Sequence, residues 1–213
     1  MTRRVAITQR VMDLADRGER RDALDQEWTP WLAAVDAVPV PVPNRVADVG
    51  RFVQELEIDV VVLTGGNDLS HLPGVVQTAP ERDATERAVL ECAGATGLPV
   101  FAVCRGMQML VHFHGGTVSR VEGHVAQPHA LVREGEGDGR LRRGPVNSFH
   151  EWGIARDGVP DVLLVWATAP DGTVEAVAHR DLRQVGVMWH PERSTADPVD
   201  QALFEWVVAG ERP

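Results

Sequence analysis

FAVCRGMQML, Phe101 to Leu110, is the stretch whose reading decides the fold. Pro99 to Val103 is a short apolar run with the length and composition of a buried parallel strand. Cys104 follows at once, then Arg105, Gly106 and a segment from Met107 to Phe113 that reads as a helix. A strand that runs through one nucleophilic side chain into a helix is the logic of a nucleophile elbow. The tight turn needs small neighbours, and Ala102 and Gly106 stand two residues to either side. A thiol in that turn sits at a helix N-terminus, where backbone N–H groups and the helix dipole favour the thiolate. Taken alone, Cys104 also reads as an inert cysteine after a core strand, since free cysteine is among the most buried residue types.

A distant segment tips the balance. VGVMWHPER, Val185 to Arg193, places His190, Pro191 and Glu192 after a second apolar strand. A cysteine nucleophile needs a base, and the base needs a group that fixes its tautomer. His190 and Glu192 supply both. His150 lacks a His-x-Glu partner at the same offset, so it is not taken as the base.

The composition sets the limits. A chain of 213 residues suits one domain, spanning 1–213, with enough length to bury a real core. The net charge of −10 argues against nonspecific binding to nucleic acid or to anionic membranes. No apolar run approaches a membrane span. MTRRVAITQR moves straight into a strand without a signal-peptide core, and Cys92 and Cys104 make no disulfide framework, so a cytoplasmic protein is expected. Every basic residue is arginine, which fits genomic base composition and excludes a lysine nucleophile.

Working outward, Val5–Thr8, Ile58–Leu63, Pro99–Val103 and Val185–Trp189 read as buried strands. Gln26–Val35, Val46–Leu56, Glu81–Thr96 and Asp197–Val208 read as helices. Val38 to Pro43 alternates Val and Pro, as an edge strand or extended loop does. The charged stretch Asp13–Asp25 reads as a solvated loop or a helix over the site. Ser70–Pro80 reads as a rim loop and Glu134–Gly144 as a hairpin or loop. Thr117–Val121, Ala130–Arg133, Val162–Ala167 and Val174–His179 read as further strands. The alternation predicts an α/β fold: a mostly parallel, doubly wound sheet with a strand-rich C-terminal extension.

Several side chains then fall at the ligand-facing end of that sheet. Arg10 follows the first strand and reads as a substrate contact or a surface arginine. Gly65 and Gly66 after the second strand allow close backbone approach to a ligand, or a plain turn. Trp28 reads as core, or as a stacking surface for a ring. His124 and His129 invite a zinc reading, but no cysteine pair lies near and the cysteine chemistry needs no metal, so neither metal nor cofactor is expected.

The Ala-x-Cys-x-Gly elbow, Gln108 four residues after the nucleophile, and the later His-Pro-Glu together resemble the class I glutamine amidotransferases, in the branch of free-standing γ-glutamyl hydrolases. Ala102 departs from the usual glycine. The resemblance covers roughly Val5 to Trp206 and implies that family's flavodoxin-like fold. It also implies an oxyanion hole from the N–H groups of Gly66 and Arg105, and glutamyl contacts at Asn67, Gln108, Ser148 and His150. Arg82, Asp83 and Glu86 resemble an Arg-Asp-x-x-Glu feature of the branch, although by residue type they read first as helix surface charge. ITQR, Asp25 with Trp28, TGGNDL, CRGMQ and VNSFHEWGI are similar to γ-glutamyl-CDP-amidate hydrolases of capsule phosphoramidate pathways. The resemblance implies a small γ-glutamyl substrate, with γ-glutamyl-γ-aminobutyrate hydrolysis, a glutaminase subunit feeding a separate synthase, and a silent binding module as alternatives. A homodimer is compatible with all of them.

Overall fold

The structure is a computed structural model that describes residues 2–135, 137–193 and 197–210. In chain order its strands are β1 (Arg3–Thr8), β2 (Arg10–Leu14), β3 (Glu19–Ala23), β4 (Ala37–Val42), β5 (Val60–Leu63), β6 (Val100–Val103), β7 (Ser119–Arg120), β8 (Val132–Arg133), β9 (Trp152–Gly153), β10 (Leu163–Thr168), β11 (Val174–His179) and β12 (Gln184–Val187). The helices are α1 (Trp28–Ala33), α2 (Val49–Glu55), α3 (Pro80–Thr96), α4 (Arg105–Phe113), α5 (Gly137–Arg140) and α6 (Pro198–Ala209).

The main sheet has the order β4-β1-β5-β6-β12-β11-β10-β8. From β4 to β12 all pairings are parallel; β11, β10 and β8 join antiparallel, which is the expected strand-rich extension. The central strands are apolar throughout because helices cover both faces. Val5, Ile7, Val60, Val62, Phe101 and Val103 pack with Trp28, Trp31 and Phe204 from α1 and α6. The alternate residues Ala6, Val61, Leu63, Val100 and Ala102 pack with Val89, Leu90, Met107 and Leu110 from α3 and α4. Successive side chains of a strand point to opposite faces, so one strand feeds both cores. β4 takes the edge, where the missing N–H groups of Pro39 and Pro41 do no harm.

The structure decides three open readings. Asp13–Asp25 is neither loop nor helix: it forms the β2–β3 hairpin, closed through a short 3-10 turn at Ala15–Arg17 and Gly18 at φ +62°. Its strands are mostly exposed and carry no apolar alternation, so pattern reading had nothing to find. Arg20 ties the hairpin to Asp13 at 3.1 Å and to Glu81 of α3 at 2.7 Å. Within Glu134–Gly144 the short helix α5 appears, while Glu136 lies outside the described residues. Trp28 is buried core against Trp31, with ring centroids 5.6 Å apart.

The parallel strands end together at Thr8, Leu63, Val103 and Val187, and the following residues build one crevice. Helix α4 sits close to the sheet: a Cβ on Gly106 would lie 2.3 Å from the Leu63 carbonyl oxygen. A Gly106→Ala substitution is therefore expected to destabilise the fold by about 1–3 kcal/mol through overpacking, read as a lower urea midpoint with an unchanged slope. An unchanged midpoint would mean that α4 can lift from β5 at no cost.

Candidate active site

Cys104 is the sharp turn itself. It lies at φ +53°, ψ −111°, between the last residue of β6 and the first of α4. A non-glycine residue in that region costs about 1–3 kcal/mol and persists where its surroundings force it. Here the Cys104 N–H donates to the Val187 carbonyl at 2.8 Å, and the Cys104 carbonyl accepts from the Gln108 N–H at 3.1 Å. The helix begins at Arg105, two residues earlier than the apolar spacing suggests, so the thiol stands at the helix N-terminus.

His190 directly precedes the short 3-10 segment Pro191–Arg193, and its imidazole is paired with the Cys104 thiol. Its Nδ1 is 2.7 Å from Glu192 Oε1. Its backbone is pinned on both sides by one amide: Asn147 Nδ2 donates to the His190 carbonyl at 2.8 Å and Asn147 Oδ1 accepts from the His190 N–H at 2.8 Å. Burial pushes the Cys104 thiol up, but the charge and hydrogen bond of His190, with His150 and the Arg105 N–H, bring it below the ordinary value near 9.0. Burial likewise opposes an imidazolium at His190, yet Cys104 and Glu192 raise it to about 10. Both shifts favour a thiolate–imidazolium pair at neutral pH. The backbone must come close to this pair: a Cβ on Gly65 would lie 2.6 Å from His190 Cε1.

Beneath the Gly-Gly loop lies what reads in sequence as helix surface charge. Arg82 and Glu86 are fully buried. The Arg82 guanidinium donates to the carbonyls of Thr64 at 2.7 Å, Gly65 at 3.0 Å and Gly66 at 2.6 Å. In a trans peptide the C=O and N–H point in opposite directions, so the Gly66 N–H faces away from Arg82. Glu86 Oε1 pairs with Arg82 Nε at 2.8 Å, and its other oxygen pairs with Arg105, which also reaches Asp83. One buried carboxylate thus joins the Gly-Gly loop to the residue after the nucleophile. Periodicity cannot distinguish this network from surface charge; the Arg-Asp-x-x-Glu likeness is the signal that finds it.

The crevice over Cys104 is a cavity of about 470 Å³, within the usual range for a small-molecule site. Arg10, Gly66, Asn67, Gln108, His150 and His190 line it, as the sequence suggests. Gln108 Nε2 donates to the Trp152 carbonyl at 2.8 Å, so its amide oxygen is the end left for a ligand. Two expected contacts are structural in this state. The Asn67 side chain is spent on the backbone of Val11, at 2.7 and 3.0 Å, and Ser148 Oγ donates to the His124 carbonyl at 2.7 Å. Gly65 stands behind the loop against His190. Sequence reasoning did not single out Asp68, Arg120, Phe149 and Arg193, which also line the crevice: Asp68, Phe149 and Arg193 lie inside the stretches TGGNDL, VNSFHEWGI and VGVMWHPER, and Arg120 ends β7. It also missed Glu175, buried on β11 beside His124, His129 and His150, a set with the residue types of a metal site.

The peptidase C26 family matches residues 5–192. The chain belongs to that family. It is a C–N amide hydrolase of the γ-glutamyl hydrolase and glutamine amidotransferase type. It is similar to the γ-glutamyl-CDP-amidate hydrolase of Campylobacter jejuni, with 29% identity over 95% of this chain and 96% of that protein. It is also similar to the γ-glutamyl-γ-aminobutyrate hydrolase of Escherichia coli K12, with 29% identity over 89% and 86% of the two chains. The fold matches the crystal structure of a glutamine amidotransferase from Thermotoga maritima, with a TM-score of 0.66 and 15% identity, covering 97% of this chain and 83% of that one. No helix among the described residues is long and apolar enough to cross a membrane.

Two outcomes follow from this C26 geometry. The pH profile of kcat/KM should be a bell: it rises as Cys104 loses its proton, below 9.0, and falls as His190 loses its proton at about 10. Removing the Glu192 charge with Glu192→Gln takes away a group that raises His190, so the alkaline limb should move to lower pH. A single rise near 9.0 would instead mean an unperturbed thiol. Arg82→Lys keeps a charge but loses the fork that gathers the loop carbonyls. It should lower kcat by about 10²–10³ with KM little changed, in a protein whose circular dichroism is intact. A change in KM alone would contradict the role of Arg82 in loop geometry.

Proposed function

We propose that the chain hydrolyses a γ-glutamyl amide through a thioester on Cys104, and that the amine it releases is a nucleoside diphosphoramidate. On this reading the substrate is γ-glutamyl-CDP-amidate and the products are cytidine diphosphoramidate and glutamate, in a capsule phosphoramidate route. The Cys104 thiolate attacks the γ-carbonyl and forms a C–S bond. The developing oxyanion is held by the N–H groups of Gly66 and Arg105, which the Arg82–Glu86–Arg105 network presets. His190 gives its proton to the leaving nitrogen and the C–N bond breaks. Water, losing a proton to His190, then attacks the thioester; glutamate leaves and the thiolate–imidazolium pair is restored. The Gln108 amide oxygen and the His150 ring stand where the glutamyl group would lie.

The observation that carries the choice of amine is the rim. Arg10, Arg120 and Arg193 line the crevice around Cys104 in a chain whose net charge is −10. Arg10 lies over Gly66, with its guanidinium carbon 3.1 Å from where a Cβ would stand, and makes no ion pair among the described residues. A local cluster of arginines suits a diphosphate, because the guanidinium fork matches phosphate oxygens. Asp68 and Glu151 also line the crevice and suit a leaving group with a second, cationic amine, as in a γ-glutamyl polyamine, whereas γ-aminobutyrate ends in a carboxylate.

A glutamate-release assay on glutamine, γ-glutamyl-γ-aminobutyrate and γ-glutamyl-CDP-amidate separates these, with Cys104→Ala as the blank. The nucleotide should be strongly preferred, and Arg10→Ala should raise its KM while leaving glutamine turnover unchanged. Preference for the aminobutyrate compound would reverse the assignment. Turnover of none would point to a separate synthase partner.

A further inference from the structure

Behind the wall of the crevice, His124, His129 and His150 surround the carboxylate of Glu175. Glu175 is fully buried on β11, His124 and His150 are buried, and His129 is nearly so. Glu175 Oε1 lies 3.5 Å from His124 Nδ1, 3.3 Å from His129 Nε2 and 3.5 Å from His150 Nε2. None of these is a hydrogen bond: both Glu175 oxygens, His129 Nε2 and His150 Nε2 are buried atoms without a hydrogen-bond partner. A buried carboxylate left so is costly.

The outer contacts fix which ring nitrogens face inward. His150 Nδ1 is 3.0 Å from the Trp152 carbonyl, so that nitrogen carries the proton and donates. With Nε2 deprotonated, as a metal ligand must be, His150 turns that lone pair toward Glu175. His124 Nε2 is 2.9 Å from Asp171 Oδ2, and its Nδ1 faces inward, 3.5 Å from both Glu175 Oε1 and Ser148 Oγ. Lone pairs facing a carboxylate repel unless a cation stands between them. Protons are a poor fit, because charge-assisted N–H···O bonds close to about 2.7–2.9 Å. A metal fits better: ligands about 2.0–2.1 Å from a tetrahedral zinc lie about 3.3–3.4 Å from one another. An imidazole whose other nitrogen donates to a carboxylate or a carbonyl is also the usual second shell of a metal ligand.

We propose that His124, His129, His150 and Glu175 form a divalent transition-metal site, with zinc as the best-fitting ion. The ligand atoms of His124, His150 and Glu175 already lie within 4.8 Å of one another, and His129 Nε2 stands 3.3 Å from the same Glu175 oxygen, so the rings close onto the ion when it binds. Four protein ligands make a closed site, which is structural rather than hydrolytic. It ties the segment carrying His124 and His129 to the Asn147–His150 segment and to the sheet. His150 faces the crevice and Asn147 holds His190, so the ion stiffens the wall that carries both. The sequence brings His124 and His129 together but gives no hint of Glu175, which lies far along the chain on an apolar-looking strand.

The decisive experiment is metal analysis of tag-free protein purified without chelator. Wild type and Cys104→Ala should each hold about one equivalent of zinc. Stripping with a chelator should lower the melting temperature, and zinc alone should restore it. Cobalt loaded into Cys104→Ala should give the intense visible bands of a tetrahedral site, without a thiolate charge-transfer band. Asp171→Asn, which alters an outer contact, should weaken zinc about 10–100-fold, and Glu175→Gln should abolish stoichiometric binding. The proposal is overturned if wild type holds no metal and neither zinc nor cobalt raises its melting temperature. It is overturned equally if the metal is lost with Cys104→Ala, which would place it on the nucleophile. The wild-type titration decides the matter even if Glu175→Gln fails to fold.

Discussion

The positive φ of Cys104 is the constraint on which the rest of the site depends. Between strand and helix there is room for one residue, and it must turn backwards to lift its thiol out of the sheet. That geometry survives because β5 and β12 hold both sides of it. The Cys104 N–H is bound to Val187, and Gly106 lets α4 settle onto Leu63. Gly65 lets the neighbouring loop come against His190. Each glycine stands where any side chain would push the reacting groups apart. Ala102, at the usual glycine of the elbow, causes no such conflict, since its methyl is buried in the α3–α4 core.

The second constraint is electrostatic and lies under the first. Arg82, Glu86, Arg105 and Asp83 form a chain of paired charges, most of it removed from water. Such a network is weak support for stability, because desolvation opposes the attraction between the charges. Its value is geometric. The guanidinium of Arg82 gathers three consecutive carbonyls and thereby sets the direction of the intervening N–H groups. Glu86 couples that direction to the first residue of α4. Donors preset in this way need no reorganisation when the carbonyl becomes an oxyanion.

Much of this was legible in the chain. The strand–Cys–helix run, the Gly-Gly turn and His-x-Glu after a strand are local patterns, and each names its own place in a parallel sheet. The helices came out within a few residues because their apolar faces are periodic. What escaped was held by long-range polar contacts. The β2–β3 hairpin is mostly exposed and depends on Asn67 reaching in to Val11 and on its own Arg20 reaching out to Glu81 of α3. Arg82 and Glu86 look solvated by type and are buried by context. Glu175 hides in a strand whose neighbours are apolar. Polar residues of this kind are placed by partners distant in sequence, and spacing alone does not reveal the partners.

The central claim is that Cys104 becomes acylated by a glutamyl group. Rapid quenching of the enzyme with a γ-glutamyl substrate, followed by mass spectrometry of the intact chain and of its peptides, tests it directly. The account predicts a transient adduct of one glutamyl residue, confined to the peptide carrying Cys104, labile to hydroxylamine and absent in Cys104→Ala. Turnover without any adduct in wild type, or an adduct that persists in Cys104→Ala, would contradict it.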